Sequence, residues 1–429
     1  MSPTGKVIEV LGKPGDHETE IHTIIKNHEL PLEFPREVEE YAKKISKQIR
    51  KNEIEKRRDV RETLTFTIDP EDAKDFDDAI SFKEIDKEIY EIGVHIADVG
   101  HYVESNSILD KEAFNRATSI YLVDRVVPML PEILSNMVCS LRPQEEKYTF
   151  SAIFKINNKG VVLEEWFGKT VIKSDRRFSY AEAQEIIETK KGKISKEIAL
   201  NNKSYEVRKE MVNAIVILNE VALTVREERK KQGSINFNKK EIKFKLDSLK
   251  NPIEVIFKEN KEANKLIEEF MLLANKKVAE LFKKEKKEPG VYRIHDAPDN
   301  EKLKVLKTIV KEFGYSLDIS SREGTSRTLN KLLRDVKGKK EQNLIETLAI
   351  RSMSKAEYST QNIGHYGLAF KHYTHFTSPI RRYPDILVHR LLNECLNKEN
   401  NQTLKGLSEK CKYCSEKETT AVKAERDSI

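Results

Sequence analysis

Cysteine is too scarce in this sequence to hold the chain together covalently. Cys139, Cys395, Cys411 and Cys414 are the only four thiols in 429 residues, whereas disulfide frameworks belong to short, cysteine-dense secreted chains. Cys411 and Cys414 form a lone C-x-x-C, and no second ligand pair follows to complete a zinc site. They read as two residues one helical turn apart. No apolar run reaches the length of a membrane span, and MSPTGKVIEV lacks the basic-then-apolar layout of a secretory leader. No membrane partner is expected, and cytoplasm is the expected compartment. Tryptophan occurs once, as Trp166, and reads as a packing residue on a strand. Internal repeats and low-complexity linkers are lacking between residues 61 and 429.

Charge, by contrast, is abundant. Charged residues make up 34% of the sequence, and 77 Lys+Arg against 71 Asp+Glu give a net charge of +6. Part of the acidic charge is concentrated in Ile68–Ile80, IDPEDAKDFDDAI, where Asp69, Glu71, Asp72, Asp75, Asp77 and Asp78 crowd together. The remaining surface is therefore more basic than the net charge suggests, which favours a polyanionic partner. An acidic run is ordinarily a solvated loop. Here Leu64, Phe66 and Ile68 alternate with threonines before it, and Ala79-Ile80-Ser81-Phe82 starts a second strand after it. Carboxylates held between core strands need neutralising, and a hard divalent cation with oxygen ligands is the natural choice. Solvated loop and metal site both remain open from this segment alone.

Residues 1–35 read as incomplete. Lys6–Leu11 is strand-like, Gly12–Gly15 is a turn, and Glu20–Ile24 is placed to pair back. Residues 36–60 read as one charged helix with Ala42, Ile45 and Ile49 on its apolar face. Strand signals dominate from 61 to about 175, with alternation at Tyr90, Ile92, Val94 and Ile96 and a hairpin turn at Asn157–Gly160. Helical spacing follows over 179–231, 262–284 and 301–314, interrupted by a short strand at Ser234–Phe237. The layout predicts one α+β domain.

A second informative stretch runs from His365 to Arg390. Ser378-Pro379 reads as an N-cap with proline at the first helical position, which puts Arg381 and Arg382 in the first turn. Cations are disfavoured there unless an anion binds, and guanidinium matches phosphate bidentately. The competing reading pairs Arg381 with Asp385 one turn on. His365, His372 and His375 lack H-E-x-x-H spacing and read as pocket or packing residues. Carboxylates, arginines and a basic surface together fit metal-assisted phosphoryl transfer, with two metals about 3.5–4 Å apart.

The motifs IDPEDAKDFDDAI, ATSIYLVDRVVPMLPEILSN, RIHDAPDNEK and GLAFKHYTHFTSPIRRYPDILVHR, in this order, resemble the catalytic (RNB) domain of the ribonuclease II / ribonuclease R family, with ribonuclease R the nearer branch. The resemblance covers about residue 61 to the end of the chain. It implies a single large α+β catalytic domain with mixed sheets and long surrounding helices. It also implies a processive, Mg²⁺-dependent (Mn²⁺ as a substitute) 3′→5′ exoribonuclease releasing 5′-mononucleotides from single-stranded RNA or RNA with a 3′ overhang, acting as a monomer.

Carried over residue by residue, the resemblance places the four family aspartates on Asp69, Asp75, Asp77 and Asp78, as metal ligands or site organisers. Asp77 is the one most closely tied to chemistry. Tyr121 matches the tyrosine that stacks on the 3′-terminal nucleotide, and Phe237 the aromatic on the other side of the stack. Arg381 matches the arginine that fixes the scissile phosphate, with Arg382 beside it on the RNA, and Glu425 a glutamate near the RNA path. An aromatic clamp tolerates any base. The resemblance departs at the ends. Residues 1–35 look like the tail of a second cold-shock β-barrel, residues 36–60 like its connection, and the C-terminal OB-fold domain of the family is lacking. A fragment and a naturally short member are both open, and affinity and processivity rest on the missing parts. Two other readings stay beside the enzyme: a catalytically silent RNA-binding scaffold of the same fold, and a metal-dependent endonuclease.

Overall fold

The acidic segment joins two neighbouring strands of the main sheet. Thr65–Asp69 runs into it and Asp78–Asp86 leaves it. These belong to a seven-stranded sheet in which Arg58–Asp59, Val162–Lys173, Glu146–Asn157, Ile89–Ala97, Asp78–Asp86, Thr65–Asp69 and Arg176–Ser179 lie side by side in that order. Pairing is antiparallel except at the two outermost strands, making the sheet mixed. In this computed structural model the described residues are 5–235, 237, 241–247, 252–286, 290–399 and 406–429.

Thr65–Asp69 is buried on both faces, as suits a strand with neighbours on either side and helices packed over it. The expected hairpin around Asn157–Gly160 is present, but its strands run twelve residues each, longer than the alternation alone indicated. Helices Tyr180–Thr189, Lys209–Lys231, Glu262–Lys284 and Tyr383–Asn397 supply the apolar cover in one continuous core with the sheet. A satellite of three helices, Asn300–Glu312, Arg322–Asp335 and Gln342–Ser352, has its own small core around Leu306, Leu329 and Ile345. Trp166 packs partly buried against the main core with Arg58 over its ring. Cys411 and Cys414 are buried free thiols on the helix Leu407–Asp427. Among the described residues, no helix is long and apolar enough to cross a membrane.

Four expectations change. Residues 5–12 form no strand, with Val7, Ile8 and Val10 exposed, and His17–Asn27 is a helix. Ile21 and Ile25 recur at helical spacing and find Ile120, Leu122 and Ala421 to pack against, whereas among the described residues no strand pairs with this segment. Residues 36–60 break into Arg36–Lys43 and Lys51–Ile54. The break follows from Ser46, whose hydroxyl bonds the Gln48 backbone locally, and from extended Arg50, whose N–H donates to the Tyr148 hydroxyl at 2.7 Å. Ser234, Ile235 and Phe237 lie in no strand: the Ile235 N–H donates to the Gly367 carbonyl at 2.8 Å. Asn236 lies outside the described residues.

The fourth change concerns the arginines. Ser378 and Pro379 belong to a tight turn, closed by the Arg382 N–H on the Ser378 carbonyl at 3.0 Å. The helix starts only at Tyr383, with Pro384 in its first turn and Arg382 as an extended N-cap. Arg382 is held extended by a bridge to Thr118, so the helical geometry cannot begin earlier. Its guanidinium turns to Asp385, 2.8 Å away, and the same carboxylate accepts the Ser378 N–H at 2.8 Å. Asp385 is fully buried. Asp385→Ala is expected to destabilise the fold by about 3 kcal/mol, because an arginine would be left buried without its counter-ion; chemical denaturation measures it, and an unchanged midpoint would refute this role.

Candidate active site

Register explains why the aspartates meet. Thr65 pairs with Ser81 and Phe66 with Ile80, so Asp69 at the end of one strand and Asp78 at the start of the next reach the same edge of the sheet. The intervening loop is fastened rather than solvated. The Phe76 N–H donates to Ser140 Oγ at 3.0 Å, Ser140 Oγ donates to the Lys74 carbonyl at 2.9 Å, and the Leu141 N–H donates to the Phe76 carbonyl at 3.0 Å. From the other side Arg177 Nη2 donates to the carbonyls of Pro70 and Glu71 at 2.7 and 2.8 Å.

Asp77 is the most tightly held of the four. One oxygen accepts the Ile380 N–H at 2.8 Å and the other lies 3.7 Å from Arg381 Nε. Arg381, freed from the pairing with Asp385 that Arg382 takes, also donates to Ser378 Oγ at 3.0 Å. The Ser119 N–H donates to the Arg381 carbonyl at 2.9 Å, which brings in the short strand Ile120–Tyr121. The Tyr121 N–H in turn donates to Glu425 Oε1 at 3.1 Å. Residues more than three hundred positions apart thus line one cavity of about 700 Å³ that includes Asp69, Asp75, Asp77, Asp78, Tyr121 and Arg381.

The structure does not gather every residue expected here. Phe237 packs partly buried on the three-helix satellite core. Arg382 is committed to Asp385 and the Thr118 bridge, where it supports the turn, and is not among the residues lining the cavity. Glu425 holds the Tyr121 backbone. His375 bonds the Tyr358 hydroxyl at 2.8 Å and His365 accepts the Leu368 N–H at 3.2 Å, both as packing residues.

Burial dominates the electrostatics. It pushes the Asp77 carboxyl well above the ordinary carboxylate range, with Arg381 opposing the shift. It raises Asp75, and raises Asp78 to about 6, again against Arg381. Asp69 is raised to about 8 by burial and then by the charge of Asp78. Its Oδ2 is buried without a hydrogen-bond partner among the described residues. Among the described residues no three potential ligands close into a preformed cage. Mg²⁺ usually takes only one or two carboxylates and completes its shell with water and substrate phosphate. An orphaned carboxylate oxygen among other hard oxygen donors fits such an ion.

A stability prediction follows from those shifts. Without a divalent cation the folded state keeps protons that the unfolded chain has released above about pH 4. Stability should therefore fall as pH rises through that value, and go on falling over about 6 to about 8, where the Asp69–Asp78 pair ionises in the fold. Melting in a chelator should drop between about pH 5 and about pH 8, and Mg²⁺ should restore most of the loss at the higher pH. A flat profile with no Mg²⁺ effect would mean that the carboxylates are not strained by their burial.

Residues 57–398 match the RNB domain family, and residues 1–35 match the cold shock domain family. The chain belongs to the RNB-domain family. It is 40% identical to ribonuclease R of Thermotoga maritima over an alignment covering 100% of this chain and 60% of that protein. It is 38% identical to ribonuclease R of Aquifex aeolicus over 99% of this chain and 59% of that one. Among solved structures, Mycoplasma genitalium ribonuclease R in complex with ribose-methylated single-stranded RNA superposes with a TM-score of 0.88 at 29% identity, over 98% of this chain and 64% of that one. A yeast pseudonuclease shares the fold, with a TM-score of 0.75 at 20% identity. The chain spans roughly half to three fifths of the length of such curated relatives, from 51% to 60%.

Within this RNB domain, three contributors went unmarked in the sequence. Arg177, Ser140 and the backbone of Ile380 hold the acidic loop and Asp77 in place. Arg176-Arg177, which open the strand Arg176–Ser179, gave a visible signal of paired cations. A serine and a backbone N–H gave none.

Proposed function

We propose that this RNB domain hydrolyses single-stranded RNA, or RNA with a single-stranded 3′ overhang, from the 3′ end, releasing 5′-mononucleotides. The observation that carries the reading is the shared cavity: four aspartates, Arg381 and an exposed Tyr121 line one space. Asp69, Asp75, Asp77 and Asp78 would hold Mg²⁺, or Mn²⁺, which when bound supplies an activated water and neutralises charge on the departing oxygen. Asp77 aims Arg381 and pins it through Ile380. Arg381 offers its guanidinium to the scissile phosphate, where negative charge builds up. Tyr121, 42% exposed, gives the terminal base a face to stack on, and stacking accepts every base. Processivity, monomeric action and cytoplasmic residence belong to the same proposal.

Incubating a 5′-end-labelled oligoribonucleotide with the chain and Mg²⁺ tests it. Steady shortening from the 3′ end is expected. A shifted but intact RNA would favour a silent scaffold, a reading kept alive by the yeast pseudonuclease of the same fold. Cleavage of a circular RNA would instead make the protein an endonuclease. Tyr121→Ala is expected to lengthen the final resistant product more than it alters the initial rate at saturating RNA, and to weaken the hold on short RNA about fivefold or more, since a stacked base is worth about 1–3 kcal/mol of binding. Sequencing-gel resolution of the end products checks this, and an unchanged limit product would remove Tyr121 from the clamp.

A further inference from the structure

We propose that the cleft behind the acidic loop is a binding site for the nucleoside 5′-monophosphate leaving the catalytic cavity. The proposal rests on the hydrolytic reading of that cavity. The cleft, about 640 Å³, shares the lining residues Ala73, Lys74, Glu132 and Asn136 with the carboxylate cavity, so the two spaces abut across the acidic loop. Their balance of charge differs. One sets five aspartates and Glu132 against Lys74, Arg125 and Arg381. The other is lined by Phe76, Ile133 and Met137 together with Lys74, Arg142 and Arg177, and Glu132 is its one acidic lining residue.

A released nucleotide has needs that match this difference. Its terminal phosphate carries nearly two negative charges at neutral pH, so the carboxylates that favoured cleavage with a cation present repel the product once it is free. Cations next door give it a downhill direction. Its base has two apolar faces, and Met137, 38% exposed, is an adaptable surface for bases of any shape. Met137 sits on a widened helical turn, Ile133–Val138, closed by the Cys139 N–H on the Leu134 carbonyl five residues back. Such π-turns recur where a helix serves a site. Arg142 reaches along this turn, with one nitrogen 3.1 Å from Met137 Sδ and another 3.1 Å from Glu145. Arg177 stands between the two spaces. It lies 4.8 Å from the Phe76 ring centroid, its charge acts on Asp69, and its buried Nε has no hydrogen-bond partner among the described residues.

Calorimetric titration of adenosine 5′-monophosphate into the full chain, with metal removed by chelator, tests the site. Arg142→Glu is expected to weaken binding about tenfold or more, the effect of losing a charge-assisted hydrogen bond. Met137→Asp should weaken it comparably. Both cleft residues are part-exposed, and each variant's melting temperature shows that it is folded. Affinity unmoved by both cleft variants would overturn the proposal. RNA shortening by the parent chain with affinity unmoved by Arg142→Glu and Met137→Asp removes the cleft site and leaves the hydrolytic reading. Intact RNA with the expected affinity pattern removes the hydrolytic reading and leaves a nucleotide site.

Discussion

Asp77→Asn is expected to abolish Mg²⁺-dependent release of mononucleotides, a loss on the order of a thousandfold or more, while the binding of a short RNA survives. The substitution keeps side-chain volume and an oxygen for the Ile380 N–H, which Asp77 accepts at 2.8 Å. It removes the negative charge that a divalent cation and Arg381, 3.7 Å away, both require. Because burial already raises the Asp77 carboxyl, neutralising it should leave the metal-free melting temperature unchanged or higher. Loss of turnover would then come from chemistry and not from unfolding. Quantifying released nucleotide beside a gel shift separates the two. Digestion at the parent rate would sink the assignment.

Arg381→Ala should slow single-turnover cleavage by about a hundredfold to a thousandfold with a small change in RNA affinity, since its work lies in the transition state. The Arg381 side chain is 41% exposed, so part of its guanidinium remains open to a ligand beyond its contacts with Asp77 and Ser378. Arg381→Lys should recover only part of the loss, because an ammonium presents a point charge where guanidinium presents a fork. Arg381 also holds the carboxyls of Asp77, Asp75 and Asp78 down against burial. Its removal lets them rise further, so the acid limb of the residual activity should move to higher pH. Single-turnover rates across a pH series measure both effects. Full recovery with lysine, or an unmoved acid limb, would deny Arg381 the part assigned to it.

How much was legible in the sequence differs from segment to segment, for identifiable reasons. Period-two alternation at Tyr90–Ile96 and helical spacing over 262–284 survive as Ile89–Ala97 and Glu262–Lys284, because a side chain's direction is fixed by its own backbone. The acidic loop was legible as a crowd of charges between strands. The helix start at Ser378-Pro379 was misread, because a bridge to Thr118, more than two hundred and fifty residues away, holds Arg382 extended. The strand expected at Lys6–Leu11 failed for the complementary reason: backbone pairing needs a partner, and a lone segment does not carry one.

Local order in the chain was enough to place the acidic run between two adjacent strands and to mark Arg381 as an anion contact, since charge density and side-chain alternation are properties of neighbours in sequence, whereas Tyr121 was marked by the family resemblance alone. Which arginine faces Asp77 and which is consumed by Asp385 was settled by folding. So were the backbone N–H that grips Asp77, the serine that fastens the loop, and the cationic cleft behind it. Those choices depend on distances between residues far apart in sequence, and burial magnifies every one of them because charges out of water interact strongly and can be left unpaired only at a large penalty.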